Sequence, residues 1–146
     1  MLIALPALAP GQAGKIITVR VLDGRTGASI TPDNLHVRFK AGKLMDAQWV
    51  KQNDDGTTSV EVPAGATEIS LHATYDNAME FYVNCDQRRQ KGGPEESWYP
   101  VGGILSAGSS TPNVCAKSAD KLKVDLKPGE FVLFVRKRGW RDGSQD

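Results

Sequence analysis

The stretch Ile16–Ile30, IITVRVLDGRTGASI, decides the fold. Ile17, Val19 and Val21 alternate with Thr18 and Arg20, the two-residue period of a half-buried strand. Asp23-Gly24 and Thr26-Gly27 follow with turn chemistry: an Asp side chain accepts bonds from its own backbone, and Gly takes positive φ without a Cβ clash. A second strand-and-turn signal, DDGTTSVEVPAGATEISL, occupies residues 54–71. Two such segments in a chain with 15 Gly and 8 Pro predict many turns and an all-β class.

Further strands follow by the same reading. A first runs over Lys15–Leu22, and a second carries Leu35, Val37 and Phe39 on one face with His36, Arg38 and Lys40 on the other. Ala47–Gln52, Thr57–Val62, Glu68–Tyr75 and Glu80–Cys85 are the third to sixth. Leu122, Val124 and Leu126 mark a seventh, and Glu130–Arg136 an eighth. The run FVLFV in the eighth is apolar on both faces, which predicts cover on both sides. Asn53–Gly56, Pro63–Gly65 and Lys127–Gly129 separate neighbouring strands, the last as a type II turn. A single helical turn is expected at Val101–Ala107, stopped by Gly108. Turn signals every eight to twelve residues or so favour an antiparallel sandwich of about seven to eight strands over anything parallel.

The 146 residues suit one domain, here 14–138, with a polar tail at 139–146. Residues 1–13, MLIALPALAPGQA, are uncharged and apolar, too short for a membrane-spanning helix. They resemble the remnant of a secretory signal peptide lacking its basic start; a buried strand or a free tail is the alternative. Cys85 and Cys115 are the only two cysteines. In an exported chain they most simply pair, closing the irregular segment between them; two separate buried thiols are the alternative. A bridge closing a loop of roughly 30 residues contributes about 3–4 kcal/mol in the chain-entropy model.

At this point the residues resemble a known family, the carboxypeptidase regulatory-like domain, a transthyretin-like (prealbumin-like) β-sandwich. Its Asp-x-x-Thr-Gly-x-Pro-Ile/Leu pattern is met by Asp23, Thr26, Gly27 and Ile30, with Ser29 in place of Pro. Its second pattern is met by Asp54, Gly56, Val60, Val62, Pro63, Gly65, Ile69 and Leu71. The match covers Ile16–Tyr75; beyond it the Cys85–Cys115 segment is an elaboration. The resemblance implies an accessory module without catalysis. The hydroxyisourate hydrolases share that sandwich, but their C-terminal Tyr-Arg-Gly-Ser is absent here.

Residues that carry chemistry are few. His36 and His72 are the only histidines, both on outward faces, and lack HxH or HExxH spacing; solvated surface residues are the simpler reading, so no metal or cofactor is expected. No Gly-x-Ser-x-Gly elbow accompanies Ser106, Ser109 and Ser110. Basic groups cluster at Arg88, Arg89 and Lys91 and at Arg136, Lys137, Arg138 and Arg141, but the net charge of +1 gives no case for nucleic acid. Trp98, Tyr99 and Trp140 are candidate ligand-binding aromatics, able to stack on a sugar ring; burial of Trp98 and Tyr99 as an anchor for the loop is the competing reading. The expectation is a secreted, periplasmic or cell-surface module without catalysis, acting in protein interaction or cell-surface structure with a protein or glycan partner outside the cytoplasm; a carbohydrate-binding accessory protein using the loop aromatics is the alternative.

Overall fold

A computed structural model describes residues 14–31, 34–74, 82–86, 97–115 and 124–137. In chain order these form β1 (Ile16–Asp23), β2 (Ser29–Ile30), β3 (Asn34–Lys40), β4 (Leu44–Asp46), β5 (Val50–Gln52), β6 (Thr58–Glu61), β7 (Glu68–Thr74), β8 (Tyr82–Asn84), β9 (Tyr99–Pro100), α1 (Val101–Ala107), β10 (Ser109–Ser110) and β11 (Glu130–Lys137). They build two sheets. The larger runs β10-β11-β1-β6-β5, with β2 also paired to β1 and β8 to β11; the smaller runs β4-β3-β7-β9.

The alternation read in β1 places Ile17, Val19 and Val21 in the core between the sheets. They meet Phe131, Leu133 and Val135 of β11, Val60 of β6, and Val37, Phe39, Ile69 and Leu71 from the facing sheet. Burial of these side chains drives the two layers together, each contributing about 1.5–3 kcal/mol when fully covered. The all-β sandwich is therefore as expected, and so is the cover on both faces of β11. Val132 and Phe134 project from the opposite face into a second cluster with Leu22 and Cys85, against which Cys115 and Val124 pack.

Two expectations need correction. The sheets are not wholly antiparallel: β1 and β11 pair in parallel, from Thr18 opposite Glu130 to Asp23 opposite Val135. Turn signals report only on strands adjacent in sequence, whereas a parallel pair needs a long crossover. Here the crossover includes the whole of the smaller sheet. The seventh strand is also absent where described: 124–127 forms no ladder. It packs instead against the end of α1, where a Cβ on Gly108 would lie 2.4 Å from the Lys127 carbonyl oxygen. Leu122 lies outside the described residues, as do residues 1–13 and the tail 139–146.

Local turn chemistry follows the sequence closely. Asp23 Oδ1 accepts bonds from the backbone N–H groups of Arg25 and Thr26, and Gly27 takes φ of 80° to bring the chain into β2. Asp55 Oδ1 accepts from the backbone N–H and the hydroxyl of Thr57, closing the β5–β6 hairpin. Pro128 and Gly129 form the expected turn, with Gly129 at φ 82° and the Glu130 N–H donating to the Lys127 carbonyl at 2.9 Å. Helix α1 occupies the predicted 101–107 and buries Val101 and Ile104.

Candidate functional site

The Cys85–Cys115 disulfide forms, with 5.4 Å between its Cα atoms. It caps the outer face of β11 rather than hanging free. Gly24 makes this seat possible: a Cβ there would sit 2.5 Å from Asn113 Oδ1, 2.7 Å from Cys85 Sγ and 2.9 Å from Cys115 Cβ. Only a residue without a side chain admits the bridge so close to the β1 turn. Asn113 Nδ2 donates to the Gly24 carbonyl at 2.9 Å, and the Gly24 N–H donates to Val135 O at 2.8 Å.

The candidate aromatics separate. The Tyr99 ring packs on Phe131 with 5.1 Å between centroids, and its hydroxyl donates to Asp86 Oδ2. Burial, and then the Asp86 carboxylate, hold the Tyr99 hydroxyl well above the ordinary tyrosine range. Tyr99 is thus half-buried against β11 with its hydroxyl engaged by Asp86. Trp98 is half-buried, and the Lys40 ammonium lies 4.4 Å from its ring centroid. That cation–π contact already uses one ring face. Lys40 also pairs with Glu68 at 3.7 Å. Trp140 lies outside the described residues, as do Arg88, Arg89, Lys91, Arg138 and Arg141.

Among the described residues the exposed indole is Trp49, at 69% exposure. It stands where the chain leaves β4, at one margin of the smaller sheet, and enters β5, at the margin of the larger. Val50, the next residue and the first of β5, is exposed too, as is Leu44 at the start of β4. The sequence reading missed this because it treated Ala47–Gln52 as one strand. A chain that changes sheets in three residues cannot keep its alternate side chains in the core. The marginal strands β4, β5, β9 and β10 each have only two or three residues, too short for an added strand to gain much ladder.

The histidines are brought together. β3 and β7 pair with His36 directly opposite His72, flanked by Arg38 opposite Ser70. His36 is exposed and His72 half-buried, while Val37 and Leu71 beside them point into the core. Among the described residues, no three or more His, Cys, Asp or Glu side chains converge as a metal cage. Ser109 and Ser110 lie in β10, and the Ser106 hydroxyl donates to the Gly103 carbonyl of α1. No described helix is long and apolar enough to cross a membrane. Comparison with protein-family models, curated proteins and solved structures finds no match to this chain.

Proposed function

We propose that the chain is an exported, non-catalytic β-sandwich module that engages a protein partner outside the cytoplasm through the β4–β5 margin. The exposure of Trp49, with Val50 exposed next to it on β5 and Leu44 exposed at the start of β4, carries this reading. Trp is the residue type most enriched where binding energy concentrates, and an indole left in water is available for that use. The aliphatic neighbours favour a protein surface over a sugar, whose hydroxyls call for polar partners around the ring. Disulfides persist in oxidising compartments, so the Cys85–Cys115 bridge supports export, as does the apolar stretch 1–13. The Asp23 turn has the form expected from the resemblance to carboxypeptidase regulatory-like domains, whose accessory character fits the same role.

Fractionation of the host followed by a thiol assay on the recovered chain tests the compartment. Chain found outside the cytoplasm with no reactive thiols is the expected result; cytoplasmic chain with two reactive thiols overturns it. For the surface, a photoreactive residue at position 49 should give one defined protein adduct in the host. The same probe at Lys127, exposed and next to β10 at the opposite margin of the larger sheet, should give none. Equal yields from both positions would refute the assignment.

A further inference from the structure

We propose that His36 and His72 form a surface site for a divalent late first-row transition metal, best suited to copper(II) and next to nickel(II). The proposal is independent of the protein-docking reading. It rests on register: the two residues are direct partners across the antiparallel β3–β7 ladder. Direct partners hold their Cβ atoms about 4.5–5.5 Å apart on one face. Both side chains must share the outer face, because Val37 and Leu71, one step away on each strand, are core residues.

That spacing suits chelation. Imidazole nitrogens about 2.0–2.1 Å from a metal and adjacent in its coordination sphere lie roughly 3 Å apart. Rotation about χ1 and χ2 brings two opposed imidazoles to that distance without moving the backbone. The backbone is also held: β3 lies inside the smaller sheet, hydrogen-bonded to β4 on one side and β7 on the other. A pair fixed by two strands loses little freedom on binding, which raises affinity over two independent histidines. His72 already engages another group of the protein. Each residue needs to offer only one of its two ring nitrogens to the ion.

The metal follows from the ligand set. Imidazole suits copper, nickel and zinc, but a structural zinc site wants four protein ligands, and this face supplies two. Copper(II) binds nitrogen most strongly in the divalent series and accepts two adjacent protein nitrogens with water in its remaining positions. The exposure of His36 leaves those positions open to solvent or to an outside donor. The surrounding charges do not oppose a cation. Arg38 is paired with Asp46 at 3.6 Å and Lys40 with Glu68 at 3.7 Å, so these two cations and two anions balance.

The test uses the full chain. Copper(II) is titrated into it and followed by electron paramagnetic resonance, with nickel(II) binding measured by calorimetry. One equivalent should bind more tightly than about 100 μM, and the spectra should show two imidazole nitrogens. His36→Gln and His72→Gln should each weaken binding on the order of tenfold or more, with circular dichroism unchanged. The double variant should bind no tighter than the weaker single one. Wild-type chain that binds neither metal below about 1 mM overturns the proposal. So does binding that survives both substitutions, or that falls only when Asp46→Asn or Glu68→Gln is made. If a Gln variant does not fold, the two-nitrogen signal of the wild-type chain decides alone.

Discussion

Gly24→Ala should be among the costliest single-methyl additions in this protein, and its cost should depend on the disulfide. The new Cβ would meet Asn113 Oδ1 at 2.5 Å, Cys85 Sγ at 2.7 Å and Cys115 Cβ at 2.9 Å. The Asn113 amide can swing aside, giving up its bond to the Gly24 carbonyl at about 1 kcal/mol. The sulfur and the Cys115 Cβ cannot, because each is held by the other half of the bridge. Overpacking of this kind adds about 1–3 kcal/mol, for a total of about 2–4 kcal/mol. Removing the bridge by Cys85→Ala with Cys115→Ala deletes the sulfur and releases position 115. With the cysteines 30 positions apart in the sequence, that change by itself costs about 3–4 kcal/mol. In the bridge-free background Gly24→Ala should cost at least about 1 kcal/mol less than in the oxidised chain, a coupling between neighbouring groups. Urea unfolding of the four members of the cycle measures it. Additivity within about 0.5 kcal/mol, or a cost below about 0.5 kcal/mol in the oxidised chain, would refute the argument that Gly24 exists to seat the bridge.

Other outcomes follow from single sites. Tyr99→Phe should lose about 1 kcal/mol, the value of one partly exposed hydrogen bond, measured by the urea midpoint. Because the folded Tyr99 hydroxyl titrates above its unfolded value, its contribution should be complete below about pH 10 and fade as pH rises through the folded value; absorbance of tyrosinate should show one tyrosine lagging the rest. Asp55 has the opposite sign: the Thr57 hydroxyl and then the Thr57 N–H hold its carboxyl below the ordinary 3.8, so its stabilisation is present above that value and lost as pH falls through the folded one. Asp55→Ala should therefore flatten the acid limb of a pH–stability curve, and an unchanged limb would count against the turn geometry. Gly108→Ala places a methyl 2.4 Å from the Lys127 carbonyl at φ 82°, and should cost upwards of about 2 kcal/mol by thermal unfolding.

What the sequence made legible was what neighbouring residues decide among themselves. The parity of Ile17, Val19 and Val21 reports which side of a strand meets apolar surface, whatever that surface is. Asp23, Gly27, Asp55 and Gly129 each act within a few residues, so their turns were readable before any sheet was known. The doubly apolar run in β11 announced cover on both faces, though not that a disulfide would supply part of the second. The remainder depends on pairings made across long stretches of chain. The parallel contact of β1 with β11 joins residues more than a hundred positions apart, for example Thr18 and Glu130. No turn signal bears on it. The two-residue strands β2, β9 and β10 have too little pattern to be read and are fixed by the longer strands they flank.

The same distinction explains why the candidate sites shifted. Trp98 and Tyr99 drew attention as adjacent aromatics beside a proline, yet their fate was set by Lys40 and Phe131, partners remote in sequence. Trp49 looked like a strand residue, and it is exposed because the chain crosses between sheets at that point. The outward parity of His36 and His72 was legible at once, since each sits next to a core residue. Their meeting was not, because it requires β3 and β7 to pair in one register after the chain has visited β4, β5 and β6. A slip of one residue in that ladder would turn one strand's core residues to water, so the burial of Val37, Phe39, Ile69 and Leu71 enforces the parity of the pairing. A slip of two would preserve the burial pattern and separate the histidines. That alternative is opposed on the same face by the ion pair of Lys40 with Glu68 across the ladder. The juxtaposition of the two imidazoles is thus a consequence of hydrophobic parity refined by surface charge, and neither of those is a property of the histidines themselves.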